Sequence, residues 1–282
     1  MPSRISHLIE TKDQSSSNRL EDVIPILVTL LTQSHKTQSA YLCTMAVAQL
    51  HRLDNEGQHF CGYRNMQMLL SSLSSHPTTT STTTNLQNPD LIARAQKATV
   101  LTLQSLIEAA WTTGHNAHSR IETGGILNTR KHVGTSEAEA LFAYLCIPTT
   151  ARVFQGKGCW RELLDYVQDY FSGGEAGQGS DTARKGPELG VESVRMTNKP
   201  PIFLQRPRHS LTIVGVEVAP SGRRRLIVFD PGYDPPASLT RAMERKDRKV
   251  EKGKEERVLT YYRRGERYLR RFDGFEILHV KA

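Results

Sequence analysis

Apolar residues recur at helical spacing up to residue 171 and at strand spacing from residue 201 onward. "LEDVIPILVTLLTQS" (20–34) and "SAYLCTMAVAQLHRL" (39–53) read as two amphipathic helices. In "CGYRNMQMLLSSL" (61–73), Met66, Leu69, Leu70 and Leu73 repeat as the apolar stripe of a helix laid on a core. "NPDLIARAQKATVLTLQSLIEAAW" (88–111) predicts one long helix, with Asp90 in its first turn and Gly114 as its stop. Shorter helical patterns at "SEAEALFAYL" (136–145) and "WRELLDYVQDYF" (160–171) flank a strand at "TARVFQ" (150–155). From Pro201 the grammar changes: "PIFLQ", "HSLTIVGVEV" and "RRLIVFD" are short, rich in β-branched residues and bounded by Pro and Gly, and "GFEILHVKA" reads as a last strand. Helices first and an antiparallel sheet afterwards predict an α+β domain.

Between these elements the chain is polar. Residues 1–19 are expected to be disordered, leaving 20–282 as one domain. A Ser/Thr tract (74–88) and a Gly-rich tract (172–193) predict flexible insertions. Charge is distributed unevenly. Between Arg241 and Arg271 stand thirteen Arg and Lys against six Asp and Glu, so this stretch carries nearly all of the net charge of +8. It is expected to be a solvated helical insertion, with nucleic acid or an acidic partner as its alternative use.

With 23% charged and 38% hydrophobic residues, the 282-residue chain has material for a real core, which excludes wholesale disorder. No run of about 18 apolar residues occurs, so no membrane-spanning helix is expected. The opening residues lack a signal-peptide core, and an intracellular location, cytoplasm or nucleus, follows as the expectation. Cys43, Cys61, Cys146 and Cys159 are widely spaced, with neither a CxxC pair nor zinc-type Cys/His spacing, so no disulfide or metal site is expected.

Most such thiols are small buried hydrophobes. Cys61 stands apart because it opens a helix, where unpaired N–H groups and the helix dipole favour a thiolate. A nucleophilic thiolate needs an imidazole and a group to orient it. Of the ten histidines, His209 begins one strand and Asp230 ends the next, across the turn "APSGRR". Pairing Val218 near Arg223 sets residue 209 opposite 232, which makes Asp230 the diagonal, same-face neighbour of His209. His59 lies two residues from Cys61, too close along the chain to serve easily. Gln205, four residues before His209, ends a strand and either donates its amide to an oxyanion or satisfies a turn.

"CGYRNMQMLLSSL", "NKPPIFLQRPRHSLTIVGVE" and "LIVFDPGY" together resemble the papain-like peptidases specific for ubiquitin or the ubiquitin-fold modifier, above all the zinc-finger-with-peptidase-domain branch and its fungal relatives. The resemblance runs from about residue 20 to the end and departs from the family pattern in having His59-Phe60 where Trp-Gly is frequent, and in lacking upstream zinc fingers. It implies a papain-like fold, with Cys61 as nucleophile, His209 as general base and acid, Asp230 as its orienting partner and Gln205 as oxyanion donor. It implies no cofactor. Dedicated modifier proteases of the family carry Asp-Pro-His where this chain has Asp230-Pro231-Gly232, which points to ubiquitin or polyubiquitin chains as substrate; ubiquitin-fold modifier conjugates are the alternative, and an inert ubiquitin-binding module a second one. Ubiquitin's tail is basic, so carboxylates are expected at the cleft; Glu137 and Glu139 are the candidates, with complementing their own helix's dipole as their other reading.

Overall fold

The computed structural model describes residues 1–73, 89–173, 193–245 and 249–281; the insertions expected at 74–88 and 172–193 lie outside these residues, apart from Ser172, Gly173 and Ser193. The first half contains α1 (Ser3–Lys12), β1 (Arg19–Leu20), α2 (Val23–Gln33), β2 (Ser39–Leu42), β3 (Gln49–Leu50), α3 (Cys61–Ser72), α4 (Pro89–Gln96), α5 (Val100–Thr112), α6 (His118–Thr123) and α7 (Thr135–Tyr144). The second contains β4 (Thr149–Gln155), α8 (Trp160–Ser172), β5 (Val194–Met196), β6 (Ile202–Arg206), β7 (His209–Val218), β8 (Arg224–Phe229), α9 (Ala237–Glu244), α10 (Glu255–Tyr262), β9 (Arg263–Gly265), α11 (Glu266–Leu269) and β10 (Gly274–Val280).

The main sheet runs β4-β10-β6-β7-β2-β5, and β8 joins β7 to β9. Its pairings are antiparallel except β2 with β5. Strand β7 is long enough to pair with β6 over 209–213 and then with β2 over 215–218, while β8 occupies its other edge. In the central strands both faces of the sheet are buried, whereas the edge strand β4 is largely exposed. Ile202 and Leu204 enter one core and Phe203 the other, as the two-residue period of a strand requires. The first core is closed by α2, α8 and α10, and the second by α1, α3, α5 and α7. In α8, Leu163, Leu164, Val167 and Phe171 are buried, each contributing about 1.5–3 kcal/mol. That helix ends where Gly173 turns left-handed at φ 73°. An α+β architecture is the result.

Several expectations are corrected. Residues 3–12 form α1 rather than a disordered tail, because Ile5 and Ile9 fall on one face and bury in the second core. Residues 39–53 are not a helix. Ala40 and Leu42 alternate inward along β2, whose pairing with β7 and β5 overrides the helical spacing of the apolar residues. The long helix breaks at residues 97–99, where Thr99 caps α5 by accepting from Thr102 N at 3.3 Å. The break is held from outside: the Ala98 carbonyl accepts the side-chain amides of Gln14 at 2.7 Å and Gln67 at 2.8 Å.

The basic stretch 241–271 is no insertion. Val258, Leu259, Tyr262 and Leu269 are buried in the first core, so its helices belong to the domain. The β7–β8 register also differs from expectation at the turn, where Val218 faces Arg224. A bulge between Ile213 and Gly215 then absorbs one residue, and Thr212 faces Phe229. Beyond the bulge the pairing is the expected one, with His209 and Asp230 as diagonal neighbours. Gly215 sits at the bulge because a Cβ there would meet the Tyr41 carbonyl at 2.4 Å.

Candidate active site

Cys61 is the first residue of α3, and Phe60 before it supplies no side-chain cap, so the N–H groups of the first turn keep their charge for the sulfur and what it attacks. The helix start is pressed against residue 133: a Cβ on Gly62 would lie 2.2 Å from the Val133 carbonyl oxygen, and only glycine fits. The apolar stripe read from sequence is real, but α3 is buried all round. Its polar residues bury because each meets a partner. Arg64 donates to Asp13, to Gln67 Oε1 at 2.9 Å and to Glu56 Oε2 at 2.5 Å. Burial pushes the Glu56 carboxyl up against the opposing pull of Arg64. Asn65, one turn from Cys61, donates to the Cys61 carbonyl at 2.7 Å and to Ser210 Oγ at 2.9 Å, and accepts from Thr212 Oγ1 at 2.7 Å. These bonds lock α3 to β7.

From β7, His209 reaches the site with Nε2 2.7 Å from Asp230 Oδ1, which leaves Nδ1 for the sulfur. Asp230 is nearly inaccessible and fully engaged: Oδ1 also accepts from Gly232 N at 3.0 Å, and Oδ2 accepts from Arg264 at 3.0 Å. Gly232 leaves room for the imidazole, since a Cβ there would lie 3.3 Å from His209 Cε1. Burial raises the Cys61 thiol, but hydrogen bonds from His209 and from the Ser210 hydroxyl and backbone outweigh it and hold the thiol below its ordinary value. Burial lowers His209, yet its bonds to Asp230 and Cys61 raise it to about 9. Burial raises Asp230, and His209 and then Arg264 pull it below the usual carboxylate range. Each partner favours the charged form of the others, which describes a thiolate–imidazolium pair backed by a carboxylate.

Cys61, His209 and Asp230 thus come together in one cleft of about 780 Å³. His59 does not join them; it leans on His132 with ring centroids 5.0 Å apart. Gln205 faces the Gly134 loop, donates Nε2 to the Arg206 carbonyl at 3.0 Å, and leaves its buried Oε1 without a partner. One amide N–H remains for other use. Glu137 is buried and its carboxylate is spent, accepting from Gly134 N at 2.7 Å and Thr123 Oγ1 at 3.1 Å, so it caps α7 instead of reading a substrate tail. None of Gln205, Glu137 and the exposed Glu139 is among the residues lining the cleft. Three residues escaped the sequence reading. Asn65 and Ser210 were within reach of it, one a helical turn from Cys61 and the other adjacent to His209. Arg264 was hidden in a run of like charges.

The family described as Peptidase family C78 matches residues 36–278. Zinc finger-containing ubiquitin peptidase 1 of Rattus norvegicus is 31% identical over 180 residues, 61% of this chain and 27% of the relative. The Homo sapiens protein of that name is 30% identical over the same shares. The chain therefore spans 27% of the length of these curated relatives. The solved structure of UfSP from C. elegans covers 89% of this chain and 36% of its own, with a TM-score of 0.45 and 11% identity.

Proposed function

The chain belongs to peptidase family C78, and from that premise we propose that it is a cysteine-dependent deubiquitinase, cleaving the bond that follows ubiquitin's C-terminal glycine. The observation that carries this reading is the single cleft in which a helix-opening cysteine meets an imidazole already held by a buried carboxylate. A nucleophile helix packed on the antiparallel strands that carry the base is a papain-like arrangement. The Cys61 thiolate attacks the glycine carbonyl carbon, and the electron pair moves to oxygen. Backbone N–H groups at the start of α3 stabilise that oxyanion, and the resemblance assigns the second N–H of Gln205 to the same task. His209 Nδ1 gives its proton to the departing amine as the C–N bond breaks and a thioester forms. Water then gives His209 a proton as it attacks the thioester, which releases the glycine carboxylate and restores the ion pair.

Ubiquitin is favoured over the ubiquitin-fold modifier because Gly232 stands where a modifier-specific protease of the resemblance carries histidine, and here the imidazole comes from His209. The relatives' names point the same way. The test is incubation with ubiquitin and with the ubiquitin-fold modifier, each ending in a thiol-reactive warhead, followed by mass spectrometry. One ubiquitin adduct at Cys61, absent in Cys61→Ala, is expected. Labelling at Cys43, Cys146 or Cys159 instead would sink the assignment, and better labelling by the other modifier would overturn the choice of substrate.

A further inference from the structure

One wall of the cleft beside the catalytic pair is built from arginine and aromatic rings. Arg206 donates to the Tyr268 hydroxyl at 2.8 Å and lies 4.6 Å from the Phe272 ring centroid. Arg271 lies 5.9 Å from that ring on its own account, and Arg264 lies 5.5 Å from the ring of Tyr268. Rings that hold guanidinium groups in place reduce the freedom lost when those groups meet an anion. Arg208 completes the wall at the tip of the β6–β7 hairpin, between the paired Arg206 and His209 and adjacent to His209.

Two further observations give the wall a purpose. Of the described residues lining the cleft, the acids are Glu56 and Asp230, and both are consumed, by Arg64 and by His209 with Arg264. The cleft is therefore strongly cationic, and Arg208 and Arg271 make no ion pair among the described residues. Second, Arg208 holds φ at 66°, the left-handed region where glycine is at ease and a side chain is strained. An arginine kept there forgoes stability to place a positive charge next to the catalytic histidine.

We propose that this arginine wall selects conjugates whose acceptor lysine is flanked by Asp and Glu, a specificity that rests on the ubiquitin reading above. Two chains meet at the scissile bond. Ubiquitin's tail is basic and is repelled by the wall, so the acidic residues that the wall attracts belong to the other chain, the one that bears the lysine. Charge complementarity of this exposed kind acts on substrate capture and not on bond breaking, and it is screened by salt.

The test uses ubiquitin joined by an isopeptide bond to short peptides whose lysine is flanked by Asp, by Ser or by Lys. For the parent protein, the KM for the Asp peptide should be roughly five- to thirtyfold below that for the Lys peptide, with similar kcat and a ratio that shrinks as salt is added. In Arg208→Gly the ratio should fall toward one while the melting temperature holds or rises, since glycine relieves the strain; Arg271→Ala should lower the ratio independently. A purely structural role for Arg208 predicts no change in the ratio. Equal KM values with cleavage intact would overturn the wall's role alone. Failure to cleave any of the three, together with failure of the ubiquitin warhead to label Cys61, would overturn the substrate reading and this proposal with it. Inhibition of the parent by a single-stranded oligonucleotide, lost in both variants while acceptor charge makes no difference, would overturn it in favour of a nucleic acid.

Discussion

Replacing Ser210 with alanine isolates one contribution to the thiolate. Asn65 Nδ2 occupies the Ser210 oxygen as a donor at 2.9 Å, so the hydroxyl proton is turned toward Cys61, and Thr212 holds Asn65 in that orientation. The result is a directed chain of donors from Thr212 to the sulfur. A hydrogen bond to a charged group contributes about 1.5–3 kcal/mol, which corresponds to roughly one to two pH units for the group it stabilises. The imidazole and the Ser210 backbone N–H still support the sulfur in the variant, so the lower end applies. Ser210→Ala should move the Cys61 titration upward by about one pH unit and lower kcat/KM at neutral pH roughly tenfold. Ser210→Thr, which keeps a hydroxyl, should restore much of both. The assay is the pH dependence of Cys61 alkylation by iodoacetamide, with Cys61→Ala as the blank for the other thiols. A midpoint within about 0.3 of a pH unit of the parent would refute the donor chain, even if activity fell.

Three further outcomes are expected. The parent's kcat/KM should decline as pH rises through about 9, where His209 gives up its proton; because Asp230 raises that value, Asp230→Asn should move the descending limb to lower pH and reduce kcat, and a limb that stays in place refutes the coupling. Gln205→Ala should lower kcat roughly one hundred- to one thousandfold with little change in KM, and an unchanged kcat leaves the oxyanion to the N–H groups of α3 alone. Asp13→Ala takes one counterion from the fully buried Arg64 and should cost about 3–5 kcal/mol in urea unfolding, so a loss below about 1 kcal/mol contradicts the ion cluster.

The cluster of Cys61, His209 and Asp230 was legible because it obeys short-range rules. An even separation across a turn places His209 and Asp230 on one face, and a cysteine before an apolar stripe marks a helix start. The predicted pairing at the turn was off by one residue, yet it held at the site because the bulge near Val214 restores the count. What stayed hidden depends on distant chain. Arg64, Asn65 and Gln67 look like a solvent-facing side of α3 until Asp13, Ser210 and the Ala98 carbonyl are brought to them. Glu137 looked available to substrate, but one of its oxygens accepts from Gly134 N at the start of its own helix and the other from Thr123 at the end of α6. The run 241–271 reads as solvated charge, since nothing local reveals that Arg264 finishes on Asp230 and Arg263 on Glu217.

The stretch that homology delineates and the stretch that folds as one are different objects here. The family match begins at residue 36, yet α1 and α2 precede it and supply Ile5, Ile9 and six buried positions of α2 to the two cores. Asp13, also upstream, reaches α3 through Arg64 and pins the start of α5 by accepting from Val100 N at 2.8 Å. A recombinant fragment trimmed to the matched boundaries would carry Cys61, His209 and Asp230 and still expose two apolar faces and leave a buried cation half compensated. Excision of this domain for study or fusion should therefore follow the ion cluster around Arg64 and not the limits of sequence similarity.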